Sequence, residues 1–310
     1  MKNKFLAIVC LGLATLVGCG GGGGGGGSNA TVDTGGTVTN PVISFSRGNL
    51  LNGPVHMAFY GPDLYVVSNG NDKILKIDSA GVQTDLAVPV HLPLSIAFDP
   101  NIAGQMYVSA VSTGSGLPGV YPVRNLSSGH PTLDSSVVNQ TSLNYYGITF
   151  AGTVLYAVNQ PSQVLMTPAG STPIALIGSP TGLLSANSSV YVTRNAVTGT
   201  GADLWGVKKI NANTQEVTNF ASSALFNRPN AIVVNSATGD FYVANTGTPG
   251  DPTSGRVLKV SADGLTVTSF LTHANGVCAP TGLAINGGVL YVGNGPCTSG
   301  GESFILKTQL

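Results

Sequence analysis

One short phrase recurs six times along the 310-residue chain and constrains its fold more than any other feature. Each copy starts with small and apolar residues near a proline. After a gap, it ends in a tyrosine, an apolar residue, a small residue and, in most copies, an asparagine. The clearest copies are residues 228–233 with 241–245, and residues 279–284 with 290–294. Two β-rich runs separated by turn residues are typical of a β-hairpin.

The tyrosines of the second run set the period, because they recur every 35 to 51 residues. A strand-rich repeat of this length indicates a propeller blade, and one blade cannot bury both of its faces without neighbours. We therefore predict an all-β, six-bladed β-propeller in which these tyrosines pack between blades: Tyr65, Tyr107, Tyr156, Tyr191, Tyr242 and Tyr291.

The composition and the end of the chain refine this prediction. Only 8% of the residues are charged and 43 are glycine, which favours short strands and turns over helices. Residues 41–310 form one predicted domain, but its sixth blade lacks an outer strand after residues 303–308. We expect residues 41–46 to supply that strand, because an open blade would expose an unpaired edge.

The first 40 residues have the character of a leader and a tether. Lys2 and Lys4 precede an apolar run at 5–17, too short to span a bilayer. Residues 16–19 (Leu-Val-Gly-Cys) resemble a bacterial lipobox, which implies a signal peptide at 1–18 and lipidation of Cys19. An ordinary secretory peptide is the alternative. The Gly-rich residues 19–40 are predicted to be a flexible tether. With Gly20 after the cysteine, the resemblance implies a cell-envelope lipoprotein at the outer membrane, facing the periplasm or the cell surface.

Charge limits the partners that this chain can bind. Without Lys2 and Lys4, acidic residues outnumber basic ones, and no basic cluster is present. Nucleic acid is therefore not expected as a partner. We expect contact with a membrane only through the lipid, and an envelope protein or a glycan as a possible partner.

Cys278 and Cys297 remain after the leader cysteines are set aside. They lie in the loops before the first strand and after the second strand of the sixth blade, which share a face in a meander. An even pair in an exported protein indicates a disulfide. The alternative, a two-thiol metal site, lacks a suitably spaced histidine.

The repeated phrase resembles NHL-repeat and gluconolactonase-like propellers. In its fullest form it reads Pro-x-Gly-Leu/Ile-Ala, then Leu-Tyr-Val-x-Asn, then Ile-x-Lys-Ile/Val-x-x-x-Gly, and the resemblance covers residues 41–310. The gluconolactonase resemblance implies a divalent metal at the axis, held by an early glutamate with asparagine and aspartate. Here glutamate occurs only at Glu216 and Glu302. The NHL-type amidating lyase resemblance implies histidines on an axial zinc.

His56 is the most informative histidine, because the other copies carry a small residue two positions after the blade proline. His91 and His273 lie just before the first strands of the two neighbouring blades. The three imidazoles could converge on one divalent metal, zinc or calcium. The alternative is a hydrogen-bonded His56 and two solvated loop histidines.

Polar residues follow the second strands and should ring one face. They could bind a neutral ligand such as a glycan, or they could make turns. They are Asn69, Asn159, Asn195, Asn245 and Asn294, with Arg194 and Arg228 nearby.

The chain shows long loops on one face and few residues of catalytic type. Because propeller motifs specify packing rather than chemistry, the first expectation is a ligand-binding or scaffold module without cofactor or enzymatic activity. The alternative is a metal-dependent lyase or lactone hydrolase with an axial site near His56.

Overall fold

The computed structural model describes residues 41–48, 50–112, 118–126, 130–139, 145–159, 163–166, 173–176, 179–195 and 205–310. The predicted signal peptide, the tether and Cys19 lie outside these residues. The described chain is almost entirely β, with two 3-10 helices at Asn69–Asn71 and His273–Asn275. Neither helix in this part of the chain has the length and apolar character needed to cross a membrane.

Twenty-five strands are present in the described residues. In chain order they are β1 (Ile43–Arg47), β2 (Pro54–Tyr60), β3 (Asp63–Ser68), β4 (Lys73–Ile77), β5 (Gln83–Asp85), β6 (His91–Phe98), β7 (Met106–Ser112), β8 (Gly119–Arg124), β9 (Thr132–Leu133), β10 (Val138–Asn139), β11 (Tyr145–Ala151), β12 (Val154–Asn159), β13 (Gln163–Met166), β14 (Ile174–Ala175), β15 (Ser179–Ala186), β16 (Ser189–Asn195), β17 (Gly206–Asn211), β18 (Val217–Ala221), β19 (Pro229–Val234), β20 (Phe241–Asn245), β21 (Arg256–Val260), β22 (Val267–Leu271), β23 (Pro280–Asn286), β24 (Val289–Asn294) and β25 (Phe304–Gln309).

These strands form six antiparallel sheets with meander topology. Five sheets are β2–β5, β6–β10, β11–β14, β15–β18 and β19–β22, and the sixth joins β23–β25 to β1. Each innermost strand contacts the next one around the axis, in the order β2, β6, β11, β15, β19 and β23. The last of them, β23, contacts the first, β2. The inner strands therefore make a closed ring, and the prediction of an all-β propeller is confirmed.

The N-terminal strand completes the last sheet, as the sequence predicts. Ile43 lies opposite Lys307, and Arg47 lies opposite Phe304. The ring of Phe45 packs edge-on against Tyr291, with centroids 5.0 Å apart. Pairing across the two ends of the chain covers a sheet edge that would otherwise be open.

Every inner strand carries a β-bulge where it begins, and the bulges bring neighbouring sheets close together. The Ser95 hydroxyl accepts the backbone N–H of Ile148 from the next sheet at 3.2 Å. A Cβ on Gly182 would lie 2.0 Å from the carbonyl oxygen of Asn230. Small residues are therefore required at this position, as the repeat predicts.

The repeat tyrosines pack between sheets as predicted. Tyr65 meets Phe98 of the next sheet edge-on at 5.0 Å, and Tyr191 meets Phe241 of the next sheet at 4.6 Å. Such pairs contribute beyond the apolar area that they bury. The aromatic contacts thus link successive sheets at their middle strands.

Two outer strands are shortened by side-chain hydrogen bonds. β5 ends at Asp85, because the Asp85 carboxylate accepts the N–H of Ala87 and turns the chain there. In the second sheet, two short strands, β9 and β10, pair separately with β8. Between them, the Ser136 hydroxyl donates to backbone carbonyls, at 3.0 Å from Val120, and interrupts the ladder.

Candidate functional site

The upper face is defined here as the edge where the inner strands begin and the second strands end. Antiparallel pairing places these ends together: Pro54 lies opposite Ser68, Pro229 opposite Asn245, and Pro280 opposite Asn294. The loops that follow the second strands therefore surround the mouth of the central channel. The long loops after β7 and β16 fall largely outside the described residues, whereas the loop after β20 is described.

A cavity of about 310 Å³ lies on the axis and is lined by inner strands of all six sheets. The side chains on its wall are apolar except for those of His56 and Thr149. Five of the sheets each contribute one large, buried aliphatic side chain from the first half of the inner strand. These side chains are Ile96, Ile148, Leu183, Ile232 and Leu283. The cavity is large enough for a small organic molecule but offers it few polar groups.

Among the described residues that line the axial cavity, His56 is the single ionisable one. It lies on the bulge of β2 and is mostly buried. Burial lowers the pKa of His56 from 6.5 to about 4, so the imidazole is neutral at neutral pH.

The hydrogen bond made by His56 fixes which nitrogen carries the proton. The backbone N–H of Ile96, in the next sheet, donates to His56 Nδ1 at 3.4 Å. Because Nδ1 uses its lone pair as acceptor, a neutral imidazole must carry its proton on Nε2. His56 therefore offers a hydrogen-bond donor, rather than a lone pair, to whatever binds in the cavity.

The other two histidines of the predicted metal site lie elsewhere on the upper face. His91 is the exposed first residue of β6, and its Nδ1 lies 2.7 Å from an Asp72 carboxylate oxygen. His273 is exposed in a 3-10 helix, with Nδ1 3.8 Å from the Sγ of Cys278. Within the described residues, no three His, Cys, Asp or Glu side chains are grouped so as to hold a metal.

The metal site implied by the gluconolactonase resemblance does not fit this set of side chains. Glu216 lies in the turn between β17 and β18, and Glu302 lies in the loop before β25. The axial wall supplies only His56, whose Nδ1 is engaged. The structure therefore does not bring together the ligands that the resemblance implies.

Two members of the predicted ring of asparagines are structural caps. Asn245 is fully buried, accepts the N–H of Asn227 and donates to the carbonyl of Leu225, both at 2.8 Å. Asn294 is likewise fully buried and accepts the N–H of Cys278. These two amides hold the preceding loops to the ends of the second strands.

The remaining members of the ring differ in their surroundings. Asn69 is partly exposed and donates to the carbonyl of Pro93 at 2.8 Å, whereas Asn195 is partly exposed at the end of β16. Asn159 is fully buried, and neither polar atom of its side chain has a hydrogen-bond partner among the described residues. Arg194 is buried opposite Pro180, and Arg228 is partly buried.

Cys278 and Cys297 form a disulfide with Cα atoms 5.1 Å apart, so this prediction is confirmed. Cys297 also lines a pocket of about 610 Å³ on the upper face, between the loops of the fifth and sixth sheets. The length of the loop after β20 is the one feature of the sequence that pointed to this pocket. It did not indicate that Arg228 would line the same space.

Solved structures that resemble this chain include several enzymes. A gluconolactonase from Xanthomonas campestris is 11% identical, with a TM-score of 0.64 over 87% of this chain and 90% of that one. A PQQ-bound aldose sugar dehydrogenase from Streptomyces coelicolor is 17% identical, with a TM-score of 0.62 over 88% and 98%. A catalytically inactive histidine-to-alanine variant of virginiamycin B lyase from Staphylococcus aureus, with quinupristin, is 16% identical, with a TM-score of 0.58 over 84% and 82%.

No family model and no curated protein matches the sequence. At these low identities, the structural matches establish the β-propeller fold of the chain. Because the neighbours are lactonases, lyases and dehydrogenases, the expectation of a non-enzymatic scaffold is wrong, and the enzymatic alternative is favoured.

Proposed function

We propose that the protein is an enzyme that hydrolyses a small lactone at the axial cavity, with His56 as the group that polarises the carbonyl. The observation that carries the proposal is the neutral, oriented imidazole of His56 in an apolar channel. The fold, shared with a gluconolactonase, supports the same reaction class.

The chemistry follows from where negative charge develops. Water adds to the lactone carbonyl with loss of one proton to solvent, and the carbonyl oxygen becomes an oxyanion. Collapse of this adduct breaks the ring C–O bond, and the new carboxyl group passes its proton to the leaving oxygen to give a hydroxy carboxylate. The Nε2–H of His56 can donate to that oxygen, and a donor in an apolar cavity stabilises developing charge more than it would in water. A histidine of lowered pKa acts in the same way, as a neutral electrophile, in triosephosphate isomerase.

The cavity also limits the substrate. About 310 Å³ of space with apolar walls suits a compact, uncharged molecule. A charged substrate would lose its hydration without gaining a counter-ion. The proposed reaction is routed through no metal, because the described residues do not assemble ligands for one.

Substitution of His56 tests the proposal when it is compared with a matched variant of Ser95. Both side chains accept a backbone N–H from the next sheet, at 3.4 Å for His56 and 3.2 Å for Ser95. Ser95→Ala therefore measures the loss of an inter-sheet hydrogen bond alone. The assay is proton release from a panel of uncharged five- and six-membered lactones by the purified full chain.

We expect wild type and Ser95→Ala to hydrolyse at least one lactone at similar rates. His56→Phe should lower kcat by about 10²–10³, the usual cost of losing one oxyanion donor, while His56→Gln, which keeps an N–H donor, should retain part of the rate. Equal rates for His56→Phe and wild type would refute the role of His56. A protein that hydrolyses none of the lactones would refute the substrate class.

The location and repeat type of the protein are further proposals. We propose that Cys19 carries the lipid and anchors the propeller in the cell envelope, at the outer membrane. We also propose that the six sheets are six blades built on a diverged NHL-type repeat. Incorporation of labelled palmitate that is lost in Cys19→Ser would support the anchor, and unchanged membrane fractionation of Cys19→Ser would contradict it.

A further inference from the structure

The upper-face pocket beside the axis has its own chemistry, independent of the axial site. It occupies about 610 Å³ between the loop after β20 and the loop after β24. Its walls include several apolar residues that have limited freedom to move: Pro249, Pro252, Ala279, Pro296 and Cys297. These side chains leave a concave, largely apolar space.

Arg228 is the single cation among the residues that line the pocket. Its side chain is partly buried, and within the described residues its guanidinium makes no ion pair and no hydrogen bond. A partly desolvated guanidinium beside apolar walls attracts an anion more strongly than a solvated one. Asp251 is the single anion on the pocket wall, and it is exposed at the rim.

The backbone of Arg228 is held in a conformation that its side chain does not favour. Its φ is +60°, in the left-handed region. Gly53, at the matching position immediately before the first strand of the first sheet, has a φ of +63° without such strain. Left-handed non-glycine residues cost free energy and are concentrated at functional sites. Leu92, at the matching position of the second sheet, has a φ of +47°, so the repeat itself imposes this backbone, and glycine would relieve the strain at position 228.

Hydrogen bonds and the disulfide fix the shape of the pocket. The N–H of Thr246 donates to the carbonyl of Arg228 at 3.1 Å, and the Asn227 amide donates to the Thr248 hydroxyl at 3.0 Å. Across the pocket, the disulfide joins Cys297 to Cys278. A site that is rigid before binding loses less entropy when a ligand enters.

We propose that this pocket binds the carboxylate group of a small molecule with an apolar body. Arg228 receives the carboxylate, and the proline-rich walls receive the apolar part. The site is distinct from the axial cavity, so its occupation does not depend on lactone hydrolysis.

The probe is 4-fluorobenzoate, compared with the uncharged 4-fluorobenzamide, and binding to the purified full chain is followed by ¹⁹F NMR. The two probes share a ring and differ in charge. We expect the benzoate to bind about tenfold or more tighter than the benzamide, and this preference should shrink as salt is added. Asp251→Asn should tighten benzoate binding, because it removes a like charge at the rim.

Two variants of Arg228 separate a binding role from a structural one. Arg228→Gln and Arg228→Gly should both abolish the preference for benzoate, and Arg228→Gly should also raise the melting temperature by relieving the backbone. Arg124→Gln, which removes an exposed cation on β8, should leave the preference unchanged, as should His56→Phe. Equal binding of the two probes, an unchanged preference in Arg228→Gln, or no benzoate binding at the highest soluble concentration would overturn the proposal.

Discussion

Gly182→Ala is the most direct perturbation of the ring of inner strands. The added Cβ would lie 2.0 Å from the carbonyl oxygen of Asn230. Cβ atoms essentially never come within 3.0 Å of a heavy atom outside their own and adjacent residues. The obstacle is backbone of the next sheet, so it cannot rotate away. Separating β15 from β19 by about 1 Å would disturb the cores on both sides, and overpacking of this kind costs about 3 kcal/mol.

Gly295→Ala is the matched control. Its Cβ would meet Ala279 at 3.6 Å, which is ordinary van der Waals contact. Both substitutions reduce the entropy of the unfolded chain by the same amount. The difference in stability between the two variants therefore measures the clash alone. For a domain of this size, 3 kcal/mol corresponds to roughly 6–12 °C in melting temperature.

Differential scanning calorimetry of the two variants measures this difference. We expect Gly182→Ala to melt roughly 6–12 °C below Gly295→Ala. Melting temperatures that agree within about 2 °C would show that the fourth and fifth sheets do not approach as described, and the reasoning about small residues at the bulges would fail.

Three further predictions concern pH, the disulfide and the buried amides. Because the pKa of His56 is lowered from 6.5 to about 4 in the folded state, the unfolded chain binds more protons below pH 6.5. The free energy of unfolding should be highest above pH 6.5 and should fall by up to about 3 kcal/mol as the pH drops to 4. Urea titrations measure this free energy, and they should show that the fall is largely absent in His56→Gln. Replacing Cys278 and Cys297, 19 residues apart, with serine should cost about 3 kcal/mol in the same assay, and unchanged stability would contradict this. Asn245→Ala should cost about 1–3 kcal/mol because two backbone groups lose their partner. Asn159→Ala should cost less, because its amide has no hydrogen-bond partner in the part of the chain that the structure describes. The reverse order would contradict the assignment of caps.

The sequence predicted the parts of the fold that depend on local pattern and on closure. Alternating apolar residues and turn residues located most strands, and the missing outer strand of the last sheet identified β1 as its completion. The positions two residues after the blade prolines were predicted to be crowded, and the carbonyl of Asn230 facing Gly182 shows the physical cause. The outer strands were less predictable, because side-chain hydrogen bonds of Ser136 and Asp85 set where pairing stops.

The candidate site was predictable in position but not in chemistry. His56 stood out because its neighbours in the repeat are small. The hydrogen bond from the N–H of Ile96 to its Nδ1 depends on the bulge geometry and on the distance between two sheets. Neither of these is encoded locally in the sequence. The same limit applies to Arg228, whose left-handed backbone and pocket depend on loops from two different sheets.

The protonation state of His56 is the central claim, and ¹H–¹⁵N NMR of the imidazole measures it directly in the full chain. A neutral ring with its proton on Nε2 at pH 7, which stays neutral until the pH falls to about 4, is the predicted result. A ring that titrates near pH 6.5, or that carries its proton on Nδ1 at pH 7, would contradict the proposed donor and with it the proposed reaction.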